Sequence, residues 1–166
     1  MQILKATIDD CATIRRIAST TWADTYREIL SPEQSEYMLN MMYSDHSLAQ
    51  QMENGHHFVL AIDEQSGEYR GLVSYEFGYH GENKVKIHKL YVLPESHGSG
   101  LGKLLVDYVA EQALAHGCNT ITLNMNRFNH SHGFYTHMGF VIAGEEDIDI
   151  GNGYLMEDYI FEKTIG

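Results

Sequence analysis

The stretch 94-PESHGSGLGKLLVDYVAEQALAHG-117 places Gly98, Gly100 and Gly102 within five positions and follows them with a helical pattern. Glycine at that density is costly, because each one loses more backbone freedom on folding than any other residue. A backbone so stripped of side chains implies a group held close against it. The helix that follows carries Leu101, Leu104, Leu105, Tyr108, Val109 and Ala113 at three-and-four spacing and stops at Gly117. Residues 85–93 before the loop and 120–125 after the helix read as strands. Strand, loop, helix and strand in that order predict a locally parallel pair.

Outward from this unit the period changes. Residues 57–63 and 69–79 join 85–93 as strands separated by Ser66-Gly67 and Gly81-Glu82-Asn83, which predicts an antiparallel meander. Residues 1–7 read as a first strand, and Asp9 or Asp10 caps a helix with Ile14, Ile17 and Ala18 on one face. Ser31-Pro32-Glu33-Gln34 supplies a cap, a proline at the first helical position and a glutamine at the third. The Met38, Leu39, Met41, Met42 stripe behind it reads as plastic core. Asp45 starts a further short helix that Gly55 ends, and 130–138 is another, closed by Gly139. Segments 140–143 and 154–162 are the last strands, joined through Gly151-Asn152-Gly153.

A chain of 166 residues with 43% hydrophobic content suits one globular domain. The net charge of −12 argues against nucleic-acid binding, which needs a dense basic surface, and suits a cationic or small neutral partner. Cys11 and Cys118 have neither close pairing nor metal-ligand spacing and read as free thiols in a reducing compartment. No signal peptide and no membrane-length apolar run is present, so the expected location is the cytoplasm. His56-His57 and the His130/His132 pair have no acidic or thiol ligand at matching spacing, so no metal site is predicted.

Two phosphate-binding readings of the glycine loop fail. A P-loop has glycine where His97 stands and a hydroxyl where Leu104 stands. A dinucleotide fingerprint has its third glycine where Lys103 stands. The run KLYVLPESHGSGLGKLL instead resembles motif A of the GCN5-related N-acetyltransferases (GNAT), with His97 in place of the usual Arg or Gln. Asn129, Phe134, Tyr135, Gly139 and Phe140 resemble the family's motif B. Trp22, Tyr26 and residues 31–43 look like its substrate-side helices, and the ending EEDIDIGNGYLMEDYIFEK resembles its closing hairpin. The resemblance implies an α/β (α+β) fold over 1–166, with a mixed, mostly antiparallel sheet of about seven strands and helices on both faces.

It also implies roles. The backbone of Leu90, Tyr91 and Val92 pairs with the pantetheine arm of acetyl-coenzyme A like an added strand. His97, Gly98, Ser99, Gly100, Leu101, Gly102 and Lys103 hold the pyrophosphate, and Asn129 bonds the pantetheine arm. Tyr135 is the general acid for the departing thiolate. The family's base-assisting glutamate position holds Lys86, which leaves Glu76 and His88 as candidate bases, His88 with an inflection near pH 6.5. The acceptor is a primary amine, drawn by the acidic clusters Glu145-Glu146-Asp147, Asp149 and Glu157-Asp158. A polyamine or amino-acid derivative is the first choice, with a protein N-terminus or lysine, or a non-catalytic acyl-coenzyme A sensor, as alternatives. No metal is expected, and a homodimer pairing through residues 154–161 is.

Overall fold

Apolar residues at alternate positions of 57–62 and 69–77 face opposite sides of one sheet, and each side carries its own core. The computed structural model describes all 166 residues. The elements are β1 (Gln2–Lys5), α1 (Cys11–Tyr26), α2 (Pro32–Tyr43), α3 (Asp45–Glu53), β2 (His57–Ile62), β3 (Tyr69–Phe77), β4 (Lys84–Val92), α4 (Leu101–Ala115), β5 (Thr120–Asn126), α5 (His132–His137), β6 (Val141–Gly151) and β7 (Tyr154–Thr164). The seven strands order as β1-β2-β3-β4-β5-β7-β6. β4 and β5 alone run parallel; every other neighbouring pair is antiparallel.

On one face, Val59, Val73, Tyr75, Val85 and Ile87 pack with Leu105, Val106 and Val109 of α4. On the other, Phe58, Leu60 and Leu72 pack with Ile14 and Ile17 of α1, Tyr43 of α2 and Leu48 of α3. Each such side chain, fully buried, contributes about 1.5–3 kcal/mol against leaving it exposed. The α/β class and helices on both faces therefore stand as expected from the sequence.

Several boundaries differ. Thr7 is the cap residue at the start of the N-terminal helical region, with Asp10 completing the capping box by accepting from Thr7 N at 2.8 Å, and α1 begins at Cys11 with no side-chain cap of its own. The last helix is shorter than its apolar pattern, at six residues, and the closing hairpin is longer, with eleven residues in each strand. β7 lies between β5 and β6; residues 158–162 are paired on both edges, and residues 154–157 pair with β6 alone. The free edge at this end of the sheet belongs to β6.

Two irregularities shape the centre. The β3–β4 register passes from Ser74↔Lys89 to Tyr75↔Ile87 and skips His88, a bulge in β4. The β4–β5 ladder runs from Lys84↔Thr120 to Ile87↔Leu123 and then ends, although both strands continue. The two strands therefore part beyond the bulge. Gly71 of β3 sits behind the parted segment, and a Cβ there would meet the Tyr91 carbonyl oxygen at 2.8 Å. Gly71→Ala is expected to cost about 1–3 kcal/mol by overpacking. In a chain this size that lowers the melting temperature by about 2–4 °C for each kcal/mol. A scanning thermal melt checks it.

Candidate active site

The three loop glycines have different physical reasons. Gly98 and Gly100 adopt φ of 80° and 86°, and a Cβ on either would meet nothing within 4 Å. They serve the left-handed turn and leave open space in front of it. Gly102 is inside α4, and a Cβ there would strike Phe134 Cζ at 2.9 Å. It is small to let a motif B ring pack on the helix. The N–H groups of Gly98, Gly100, Leu101, Gly102 and Lys103 have no backbone acceptor, because they belong to the turn and the first turn of α4. Aligned free amides at the start of a fifteen-residue helix form an anion site. Ser99 does not belong to it: its N–H and hydroxyl both bond the Ser96 carbonyl, at 3.2 and 2.6 Å.

A cavity of about 490 Å³ opens where β4 and β5 part. Leu90, Tyr91, Val92, His97, Gly98, Gly100, Leu101, Gly102, Lys103, Asn129 and Tyr135 all line it, as does His88. Ser99 and Glu76 do not. Two cationic candidates are turned to protein acceptors. His97 Nε2 donates to the Val92 carbonyl at 2.9 Å, and Lys103 Nζ reaches Asp107 at 2.6 Å. Asn129 Oδ1 accepts from Ser131 N at 2.8 Å. The Tyr91 and Tyr43 hydroxyls bond each other at 2.6 Å, which fixes that strand segment to α2.

Tyr135 is buried beside Phe140 and Phe161 and is part of the cavity wall. Burial raises its pKa, and neighbouring Tyr26 adds to the effect, so the phenol is protonated at neutral pH.

At the bulge, His88 Nε2 donates to Glu76 Oε1 at 2.9 Å, and its ring stacks on His56 at 4.1 Å. His56 Nε2 lies 3.5 Å from the same Glu76 oxygen. Sequence spacing gave no hint of this three-residue cluster, because it joins the α3–β2 loop, β3 and β4. Burial lowers the His88 pKa to about 4, opposed by the Glu76 bond and assisted by His56, Lys89 and Lys86. His88 is therefore neutral across the physiological range, and the inflection expected near pH 6.5 is displaced. Lys86, at the family's glutamate position, bonds Asn124 Oδ1 at 3.0 Å and the Tyr79 hydroxyl at 3.3 Å.

Lys89 and Asn124 also line the cavity and were missed in the sequence. Lys89 is 6% exposed, donates to Gln51 Oε1 at 2.6 Å, and has its pKa lowered to about 8 by burial. A lysine flanked by apolar strand residues was the available signal. The bulge that turns it inward was not readable.

The profile of the acetyltransferase (GNAT) family matches residues 15–140. The chain belongs to the GNAT acetyltransferase family. It is 35% identical over 74 residues to the peptidyl-lysine N-acetyltransferase YjaB of Salmonella typhimurium, covering 43% of this chain and 48% of that one. The chain thus spans about half the length of that curated relative. Among solved structures, the PaiA N-acetyltransferase of Thermoplasma acidophilum in complex with coenzyme A is 26% identical, with a TM-score of 0.81 over 98% of each chain. A GCN5-related N-acetyltransferase from Rhodopseudomonas palustris shares the fold at 20% identity, TM-score 0.82, over 98% of this chain and 94% of that one. As in any GNAT protein, the glycine loop is the place to test ligand binding. Coenzyme A at a hundred times its Kd stabilises a one-site protein by about 2.7 kcal/mol. Gly100→Asn keeps a residue that tolerates positive φ and is expected to retain most of the thermal shift, whereas Gly100→Asp adds a charge against phosphate and is expected to abolish it. Differential scanning fluorimetry with and without coenzyme A separates the two.

Proposed function

We propose that the protein transfers the acetyl group of acetyl-coenzyme A directly to a primary amine in a ternary complex, and that residues 1–166 act as one acetyltransferase domain. The observation that carries this reading is the cleft between the parted strands, with free amides at one end and Tyr135 in its wall. Acetyl-coenzyme A fits it: amides of Gly98 and Gly100–Lys103 meet the pyrophosphate, and the unpaired edge of β4 at Leu90–Val92 meets the pantetheine amides. A strand N–H there polarises the thioester carbonyl as it becomes an oxyanion.

His88 is the proton acceptor in this reading. Glu76, behind it, holds the Nε2–H tautomer and stabilises the imidazolium, which leaves Nδ1 to take a proton from the amine through water. The neutral amine attacks the thioester carbonyl and forms the C–N bond, and the C–S bond breaks. Tyr135 gives the departing thiolate its proton, and the proton released by the new amide nitrogen returns through water to the tyrosinate. Tyr135 also separates this reading from a non-catalytic sensor, which has no need of an acid in the cleft. A small cationic amine remains the favoured acceptor. A peptide lysine is the second reading, supported by the likeness to a peptidyl-lysine acetyltransferase over 74 residues. Cys11 and Cys118 are buried and unpaired, consistent with a cytoplasmic location, and no helix is long and apolar enough to cross a membrane. A homodimer through residues 154–161 belongs to the same reading, and light scattering at micromolar concentration reads its mass.

Coenzyme A release with a panel of small amines and a lysine peptide tests the activity and ranks the acceptors. Tyr135→Phe is expected to reduce kcat by about 10²–10⁴-fold while leaving coenzyme A affinity unchanged. For the pH profile, the accepting form of His88 is present above its pKa of about 4 and lost as pH falls through it. Log kcat/KM is therefore expected to climb without an inflection near pH 6.5 as the alkylamine, of pKa about 10.4, loses its proton. His88→Ala is expected to lower the whole curve.

A further inference from the structure

The side chains of His56, Glu76 and His88 meet although they come from the α3–β2 loop, β3 and β4. Each offers one donor atom, and the three atoms all lie within 4.8 Å of one another. His88 Nε2 is 2.9 Å and His56 Nε2 is 3.5 Å from the same Glu76 oxygen, Oε1. The first contact is a hydrogen bond and the second is not. His56 is poorly served at both nitrogens, because its Nδ1 is buried without a partner. A ring nitrogen taken from water and left unmet is costly. The protein's own donors and acceptors therefore do not complete this cluster.

Two imidazole nitrogens and one carboxylate are the donor set of three-ligand zinc sites, which keep a fourth position for water. Imidazole favours first-row transition ions over Mg²⁺ and Ca²⁺, which take shells of oxygen. An ion can reach the cluster. The side chains of His56, Glu76 and His88 are 18%, 29% and 20% exposed, and His88 lines the cleft. The two rings are stacked 4.1 Å apart and 8° from parallel, so closing on one ion takes a turn of a ring about its Cβ–Cγ bond. Lys86 and Lys89 both act on His88 as cations and oppose a further positive charge. Each holds an acceptor of its own, Asn124 Oδ1 and Gln51 Oε1, and the Glu76 carboxylate supplies the opposite sign. The cluster thus suits an ion held by ligation rather than by a strongly negative field.

We propose that His56, Glu76 and His88 form a binding site for a divalent first-row transition ion such as zinc, and that the bound ion shuts off acetyl transfer. The binding stands on the cluster alone, and the inhibition rests on the reading of His88 as the proton acceptor. The ion has no part in the transfer itself. A neutral imidazole that ligates through Nε2 carries its single proton on Nδ1. The proton that His88 Nε2 shares with Glu76 therefore passes through water to Nδ1, and none is lost from the ring. Nδ1 is the nitrogen that takes the amine's proton in that reading. With the ion on Nε2, it has no lone pair left to do so.

Chelator-stripped protein titrated with Co²⁺, followed by visible ligand-field absorption and by calorimetry, is expected to bind one equivalent, and Mg²⁺ none. His56→Ala and Glu76→Gln each remove a donor or its charge and are expected to weaken Co²⁺ binding by about 100-fold or more. An unchanged coenzyme A thermal shift checks that they fold. Zinc is expected to inhibit acetylation of n-butylamine, read as the mass of the acetylated amine because the released thiol itself binds zinc. His56→Ala is expected to keep the basal rate and lose the inhibition. A wild type that binds no Co²⁺ overturns the proposal, and so does binding undiminished in both variants, which puts the ion elsewhere. Should a variant fail to fold, the imidazole proton resonances of wild-type His56 and His88 decide: Co²⁺ displaces both if they ligate, and unmoved resonances overturn the proposal. A wild type that binds Co²⁺ here and keeps its rate in zinc overturns the inhibition, and with it His88 as the acceptor. If it binds Co²⁺ but acetylates no amine, the acetyltransferase reading fails and the inhibition falls with it, while the metal site stands.

Discussion

The parting of β4 from β5 is the constraint on which the site depends. The parallel ladder closes four residue pairs, from Lys84↔Thr120 to Ile87↔Leu123, and then releases both strands. Below that point the sheet is a continuous core, with Val85, Ile87, Ile121 and Leu123 buried on the α4 side. Above it, the β5-facing edge of β4 is open backbone. Unpaired strand edges are ordinarily a liability, since they invite other strands. Here the opening lies in mid-sheet, with helices on both faces, so only a narrow extended ligand can reach it.

The bulge at His88 adds a second consequence. Strict alternation along β4 would send His88 and Lys89 to opposite faces. Skipping His88 in the register lets His88 reach Glu76 while Lys89 lies over Phe58 and Tyr43, toward the same helices. This part of the sheet therefore gathers the His56–Glu76–His88 cluster and a buried lysine. Buried polar groups of this kind are costly, and the presence of His88 and Lys89 in the wall of one cavity is the physical mark of a site kept for chemistry.

The loop shows how one sequence feature serves separate ends. Gly98 and Gly100 turn the chain and face open space, while Gly102 yields to Phe134. Motifs A and B are thus in direct contact: the ring before Tyr135 packs on the helix whose amides form the anion site. That contact ties the position of the proposed acid to the position of the loop's free amides.

The sequence by itself determined the elements that depend on local chemistry. The Ser31 cap, the helix after the glycines, the central strands and the motif residues Gly98, Gly100, Asn129 and Tyr135 were legible because caps, turn glycines and periodicity act over a few residues. Tertiary structure alone decided which side chains met. His56, Glu76 and His88 are far apart in the chain and adjoin because β3 and β4 pair across a bulge. Asp158 reads as one member of an acidic run, and only the pairing of β7 with β5 and β6 buries it and leaves an oxygen unpaired. Whether His97 and Lys103 find protein acceptors is likewise a tertiary matter: they bond the Val92 carbonyl and Asp107. Register, burial and the field of neighbouring charges are properties of the assembled sheet, and no single strand carries them.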